Sequence, residues 1–308
     1  MVFDFVGNLN MRALRLWAPL VASCLVATSC SMIRLGYDTL PMWAHWQIER
    51  YLSLDDDQSR IVSRRLDEVH RWHRRTQLTQ YVRFLREIDD ELHNAVDADA
   101  IAAWRQRVAQ AWLPVAEHLA PGVAELAVTL RPEQFERMRK RLKESNETAR
   151  EKQFPVGARR EEARGDRIVK RAEFFLGSLD AEQERDLRAM AARLPASEEE
   201  WMAERVARQE RIVAMLEQLA RERPARAEAT RIAREALVGL WETRAPHHRK
   251  LDRAIQAGDK LSVQMLARAT PEQRAHLTKL VRGYAQDFTD LSGKPVKGGT
   301  TQAANVHR

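Results

Sequence analysis

Four times along this chain an apolar or small residue, a short polar group and a glutamine recur in one order. The instances are Leu54-Asp55-Asp56-Asp57-Gln58, Leu130-Arg131-Pro132-Glu133-Gln134, Leu179-Asp180-Ala181-Glu182-Gln183 and Ala269-Thr270-Pro271-Glu272-Gln273. In the first, third and fourth, Asp55, Asp180 and Thr270 stand three residues before the glutamine. That is the spacing of a capping box, in which the cap side chain accepts from the third amide and the glutamine returns to the cap amide. Pro132 and Pro271 fall at a first helical position, where a missing N–H costs nothing, and the acids beside them suit the positive end of a helix dipole. Arg131 stands where a cap belongs, so the second helix is expected to start less cleanly. The intervals between the glutamines are too irregular for a solenoid, and the pattern reads as recurrent helix starts rather than true repeats.

Apolar residues follow each start at helical spacing: Ile61, Val62, Leu66 and Val69; Met138 and Leu142; Leu187, Met190 and Leu194; Leu277, Leu280, Val281 and Tyr284. Only 12 Gly and 11 Pro interrupt 308 residues, and Ala, Leu, Glu, Arg and Gln, all good helix formers, fill the stretches between. The fold class that follows is all-α, an irregular multi-helix bundle of long amphipathic helices. Helices are expected near 38–50, 55–93, 97–130, 132–176, 180–194, 197–222, 225–243, 246–268 and 271–290. Pro114 and Pro121 should kink the third, Pro155 and Gly157 interrupt the fourth, and Pro224 break the run from Ser197 to Thr243.

The two cysteines, Cys24 and Cys30, both lie in the first thirty residues, so the remainder can form neither a disulfide nor a thiolate metal site. Arg12 and Arg15 precede an apolar stretch from Leu16 to Ala27. That stretch is shorter than the roughly 20 residues a membrane-spanning helix needs but suits the core of a signal peptide. Met1 to Asn10 carries no cation, and Met11 offers an alternative start. Ala27-Thr28-Ser29-Cys30 resembles a lipobox, in which small residues precede a cysteine that becomes diacylated on its thiol. Val21-Ala22-Ser23-Cys24 is a second local match, but its apolar stretch would be only Leu16 to Leu20. Cys30 is therefore the expected lipid-attachment residue, and Ser31 after it, rather than Asp, points to the outer membrane. The expected organisation is a signal peptide over 1–29, a helical periplasmic domain over 30–291 and a disordered tail over 292–308.

A net charge of +7 would suit an anionic partner, yet the cations are spread along the chain and match acids at i,i+4. Export and the absence of a reading motif leave no nucleic-acid partner. The expected partners are the membrane, through the lipid anchor, and another envelope protein or polymer.

His70, Trp72, His73 and Arg74 fall within one short stretch of a helix. Asp67 lies one turn before His70, and Asp90 one turn before His93, but helical di-iron sites use Glu-x-x-His, which is not found here. No metal and no cofactor are expected. The stripe Leu66, Val69, Trp72 puts Trp72 on the buried side and His70 and Arg74 towards solvent, so His70, His73 and Arg74 form a candidate partner-binding patch. His247 and His248 read as a basic turn. Trp43 and Trp46 flank His45 and read as core residues of a first helix, with a place at headgroup level as the other reading. Gly-x-Ser-x-Gly, His-Glu-x-x-His, a P-loop and Gly-x-Gly-x-x-Gly do not occur.

Cys30-Ser31, Arg34-Leu35, Tyr37, Trp46, Tyr51, Leu54, Gln58 and Trp72-His73-Arg74, with the stretches from Gln134 to Asn146 and from Phe174 to Gln183, resemble a family of uncharacterised Gram-negative lipoproteins that carry a domain of unknown function. The resemblance implies a helical periplasmic domain on a lipid anchor and implies no activity. Thr270-Pro271-Glu272-Gln273 is similar to the Leu-Thr-x-x-Gln motif of small periplasmic stress chaperones, with Ala269 in place of the leucine. The function expected is a non-catalytic, outer-membrane-anchored periplasmic protein that binds another envelope component. A periplasmic stress chaperone or sensor is one alternative and an envelope hydrolase another. A concave apolar groove, a closed polar pocket or an aromatic and arginine patch would tell the three apart.

Overall fold

The computed structural model describes residues 29–152, 159–242 and 248–293, and among these every regular element is helical. In chain order they are α1 (Ser29–Asp38), α2 (Leu40–Leu52), α3 (Asp56–Glu91), α4 (Ala98–Gln110), α5 (Trp112–Ala127), α6 (Pro132–Lys152), α7 (Arg159–Leu176), α8 (Ala181–Ala192), α9 (Glu198–Glu222), α10 (Arg226–Glu242), α11 (His248–Ala267) and α12 (Pro271–Gly293). The chain divides after Leu40 into two compact units. In the first, α1 ends with Thr39 donating to the Leu35 carbonyl. The described residues from Pro41 onward form the second. The all-α class is thus what the chain adopts.

The differences from the expected helices have local causes. The span 97–130 is two helices, parted at Ala111. Pro114 lacks an N–H and its ring would crowd the carbonyl of Gln110, the last residue of α4, so the break falls four residues before it. Pro121 is carried inside α5. The span 132–176 is also two helices, and the stretch holding Pro155 and Gly157 lies outside the described residues. So do residues 1–28 of the expected signal peptide, His247 and nearly all of the expected tail. α1 was not expected. Cys30 falls in its first turn, with a side chain outside the described residues.

Two apolar cores share one long helix. The first gathers Leu52, Val62, Ala120, Phe135, Leu219 and Leu237 from α2, α3, α5, α6, α9 and α10. Within it α5 and α10 approach closely, because Ala116, Ala120, Ala124 and Ala127 on one meet Ala229 and Ala233 on the other, all nearly inaccessible. The second joins Leu176, Leu266, Leu277 and Val281 to Leu85 and Ile88 near the far end of α3. A smaller cluster, Val169, Ala172 and Leu187, holds α7 to α8. α3, with 36 residues, extends about 54 Å at 1.5 Å per residue. Along its first half α5 runs antiparallel, marked by Arg65–Glu125 and Trp72–His118. Along its second half α12 runs antiparallel, marked by Tyr81–Phe288 and Asp89–Arg282.

Candidate functional site

The four glutamines of the helix starts meet in two pairs. Gln58 Nε2 donates to Gln134 Oε1 at 3.1 Å and Gln134 Nε2 donates back to Gln58 Oε1 at 2.8 Å, so α3 and α6 begin at one reciprocal amide pair. Each oxygen also closes its own box, accepting from the Asp55 amide at 3.2 Å and the Arg131 amide at 3.0 Å. The remaining donor capacity goes to carbonyls: Gln58 to Thr129, Gln134 to Leu52. Both side chains are buried. Arg131 has no capping side chain of its own to offer, but its Nη1 donates to Asp55 Oδ2 at 2.6 Å, supporting the neighbouring cap. The Gln58 amide and then Arg131 hold the Asp55 carboxyl below its usual range.

The same device recurs between α8 and α12. Gln183 Nε2 donates to Gln273 Oε1 at 3.0 Å, and the return bond is 2.8 Å. Their oxygens accept from the Asp180 and Thr270 amides, and Gln273 reaches the Ser178 carbonyl. The residues expected to start helices independently are therefore joined across 76 and 90 residues. Box spacing reveals each start but carries no sign of which two will pair, and this arrangement was not expected.

His70, His73 and Arg74 lie midway along α3, where α5 gives way to α12. Their surroundings differ from the expected ones. The row at four-residue spacing on this helix runs Gln58, Val62, Leu66, His70, Arg74, Leu78 and Val82, all buried except the half-buried Leu66. Arg74 is 4% and His70 9% exposed. Trp72 is on the flank, half-buried, its ring stacked on His118 with centroids 3.4 Å apart. An exposed patch of His70 and Arg74 is thus corrected: two neighbours, α5 and α12, cover this side of α3, and the i,i+4 row lies beneath both. His73 is near Tyr81, with Nε2 and Oη 3.1 Å apart. Burial, and then the nearby His70, pushes the His73 imidazole down to about 4, while burial pushes the Tyr81 phenol up. At neutral pH this seam is an uncharged imidazole against a phenol, closed over by packed rings.

Other buried charges are matched across helices. Arg164 on α7 donates Nε and Nη2 to Glu198 Oε1 at 3.0 and 2.8 Å, and Nη1 to the Leu194 carbonyl. Burial pushes the Glu198 carboxyl up, but its own amide and Arg164 outweigh that and leave it below the usual range. Arg105 on α4 takes Asp259 on α11 with both nitrogens, at 3.3 and 3.0 Å. Sequence reasoning missed these pairs because neither partner lies near the other in the chain.

Two concavities stand out among the described residues. One, about 450 Å³, runs between α6 and α9, lined by Arg139, Leu142, Asn146, Met202, Gln209 and Val213 among others. Its walls are cross-linked: Arg205 donates to Asn146 at 2.8 Å, Asn146 to Gln209 at 2.7 Å, and Arg139 to Glu217 at 2.8 Å. The other, about 310 Å³, is mostly apolar and lies among Leu92, Val96, Leu266 and Leu277. Among the described residues no three His, Cys, Asp or Glu side chains stand close enough to hold a metal ion. His93 Nδ1 donates to the Asp89 carbonyl, and no described helix is long and apolar enough to cross a membrane.

Compared with known proteins, residues 50–237 match the model of a family of unknown function, DUF6279. No curated protein and no solved structure matches the chain.

Proposed function

The chain belongs to that family of unknown function, and on this premise we propose that it is a lipid-anchored envelope protein, held through Cys30 to the periplasmic face of the outer membrane, whose helical body binds another envelope component without catalysis. One observation carries the reading. Arg12 and Arg15, the apolar run Leu16–Ala27 and Ala27-Thr28-Ser29-Cys30 follow one another in the order that export and lipidation require. A diacyl chain on a thiol anchors a body without any membrane-spanning helix. Ser31 at the position after the cysteine favours outer over inner membrane. The non-catalytic part of the reading is supported by three ionisable groups at helix interfaces, Glu198, Asp259 and His73, whose polar atoms lie against Arg164, Arg105 and Tyr81.

Metabolic labelling with a radioactive fatty acid tests the anchor. Label should disappear in Cys30→Ser and persist in Cys24→Ser; label that tracks Cys24 instead overturns the assignment. Crosslinking in intact cells then tests the binding role, with a discrete partner expected.

A further inference from the structure

α2, which from Pro41 onward is part of the second unit, packs into that unit's core by one side and leaves the other exposed. Ile48, Tyr51 and Leu52 enter the first core, and His45 Nε2 lies 3.0 Å from Ser59 Oγ. The opposite side carries Met42, Trp43 and Trp46, at 70%, 41% and 51% exposure. Trp46 comes four residues after Met42 and three after Trp43, which sets the three on one side of the helix. These tryptophans are not the core residues their type suggested, because the row through Ile48 and Leu52 has taken the packed side. One turn after Trp46, the Arg50 guanidinium lies 4.9 Å from that ring's centre.

Two features say what covers this face. The first is chemistry. An indole has an apolar body and a polar N–H, which suits the boundary between acyl chains and headgroups, and Arg50 adds a cation where phosphates would lie. The second is position. Trp43 comes thirteen residues after Cys30 and sixteen after the apolar run ends. Thirteen residues span about 20 Å as helix and about 45 Å fully extended, so an anchored chain keeps this face close to the bilayer. We propose that Met42, Trp43 and Trp46 sit in the headgroup layer of the membrane that holds the lipid, with Arg50 towards the phosphates. This second contact fixes how the body stands on the membrane, where a lipid alone would leave it free to swing. The inference rests on the anchor reading above.

The test uses the full acylated chain in vesicles of phosphatidylethanolamine and phosphatidylglycerol, part of the lipid brominated high on its acyl chains. Tryptophan emission should be quenched at least twofold more in the wild type than in Trp43→Phe with Trp46→Phe, at unchanged melting temperature. Trp112→Phe, whose indole donates to the Leu237 carbonyl inside the body, should keep the extra quenching. Equal quenching in wild type and double variant overturns the proposal, as does a stable dimer that depends on the two tryptophans. Fatty-acid labelling of the same samples judges the anchor separately. A labelled chain without the difference overturns the docking face alone, and an unlabelled chain that still shows it overturns the anchor alone.

Discussion

Arg74 is 4% exposed and Trp72 only half-buried, two positions apart on α3. Truncating each should therefore cost different amounts. Arg74→Ala removes a long stem and a guanidinium from beneath two packed helices, and should lower stability by at least about 2 kcal/mol, the lower end for emptying a buried site. Trp72→Ala loses one stacked face against His118 and should cost less, about 1 kcal/mol, in the ordinary range for a partly buried position. Denaturant midpoints of the two variants decide it; an Arg74 variant as stable as wild type beside an unfolded Trp72 variant would mean the buried row is misassigned. The tryptophan's type suggested the reverse order. Apolar side chains occupy both an i,i+3 row, Leu66, Val69 and Trp72, and an i,i+4 row through Val62, Leu66 and Leu78. Only the second is interrupted by polar residues, and pattern alone favours the uninterrupted one.

At the scale of elements, the paired glutamines are the joints. Gln134→Leu leaves the Arg131 backbone N–H, the Leu52 carbonyl and the Gln58 side-chain Oε1 and Nε2 without their buried partner. At about 1–3 kcal/mol for each orphaned buried group, the variant should lose several kcal/mol. Gln58→Leu should lose a similar amount, and the double variant much less than their sum, since each single change orphans the other side chain. Thr270→Ala, which removes one cap from the second joint, should cost only about 1 kcal/mol. Urea titration of the four variants checks the ranking, and an additive double variant would show that the glutamines do not act as a pair. The joints also mark where legibility ends. Helix starts at Asp55, Asp180 and Thr270 were readable because a cap, its acids and its glutamine lie within four residues. The meeting of Gln58 with Gln134 was not, because it depends on how α3 and α6 are packed. The same holds for Arg164 with Glu198 and for the bare side of α2.

Across the whole second unit, α3 joins two apolar cores, and the polar seam lies where its neighbours change. That gives the body a pH dependence. The His73 imidazole falls from 6.5 to about 4 on folding, through burial and then His70. As pH drops the unfolded chain therefore takes up this proton first, so stability is intact above about 6.5 and declines towards pH 4, by on the order of 3 kcal/mol. His73→Gln should flatten that decline between pH 6.5 and 4 while leaving stability below that window governed by the carboxylates; an unchanged slope in urea midpoints measured across the window would refute it. The change of neighbour along α3 has a further consequence, in time. Leu78 and Val82 emerge from the ribosome more than two hundred residues ahead of Leu291, whose helix covers that half of α3. At synthesis rates of 5–20 residues per second the wait is roughly 10 to 40 s. Throughout it Leu78 and Val82 lack the helix that covers them in the finished body, and the length of that delay becomes a determinant of how many chains reach it.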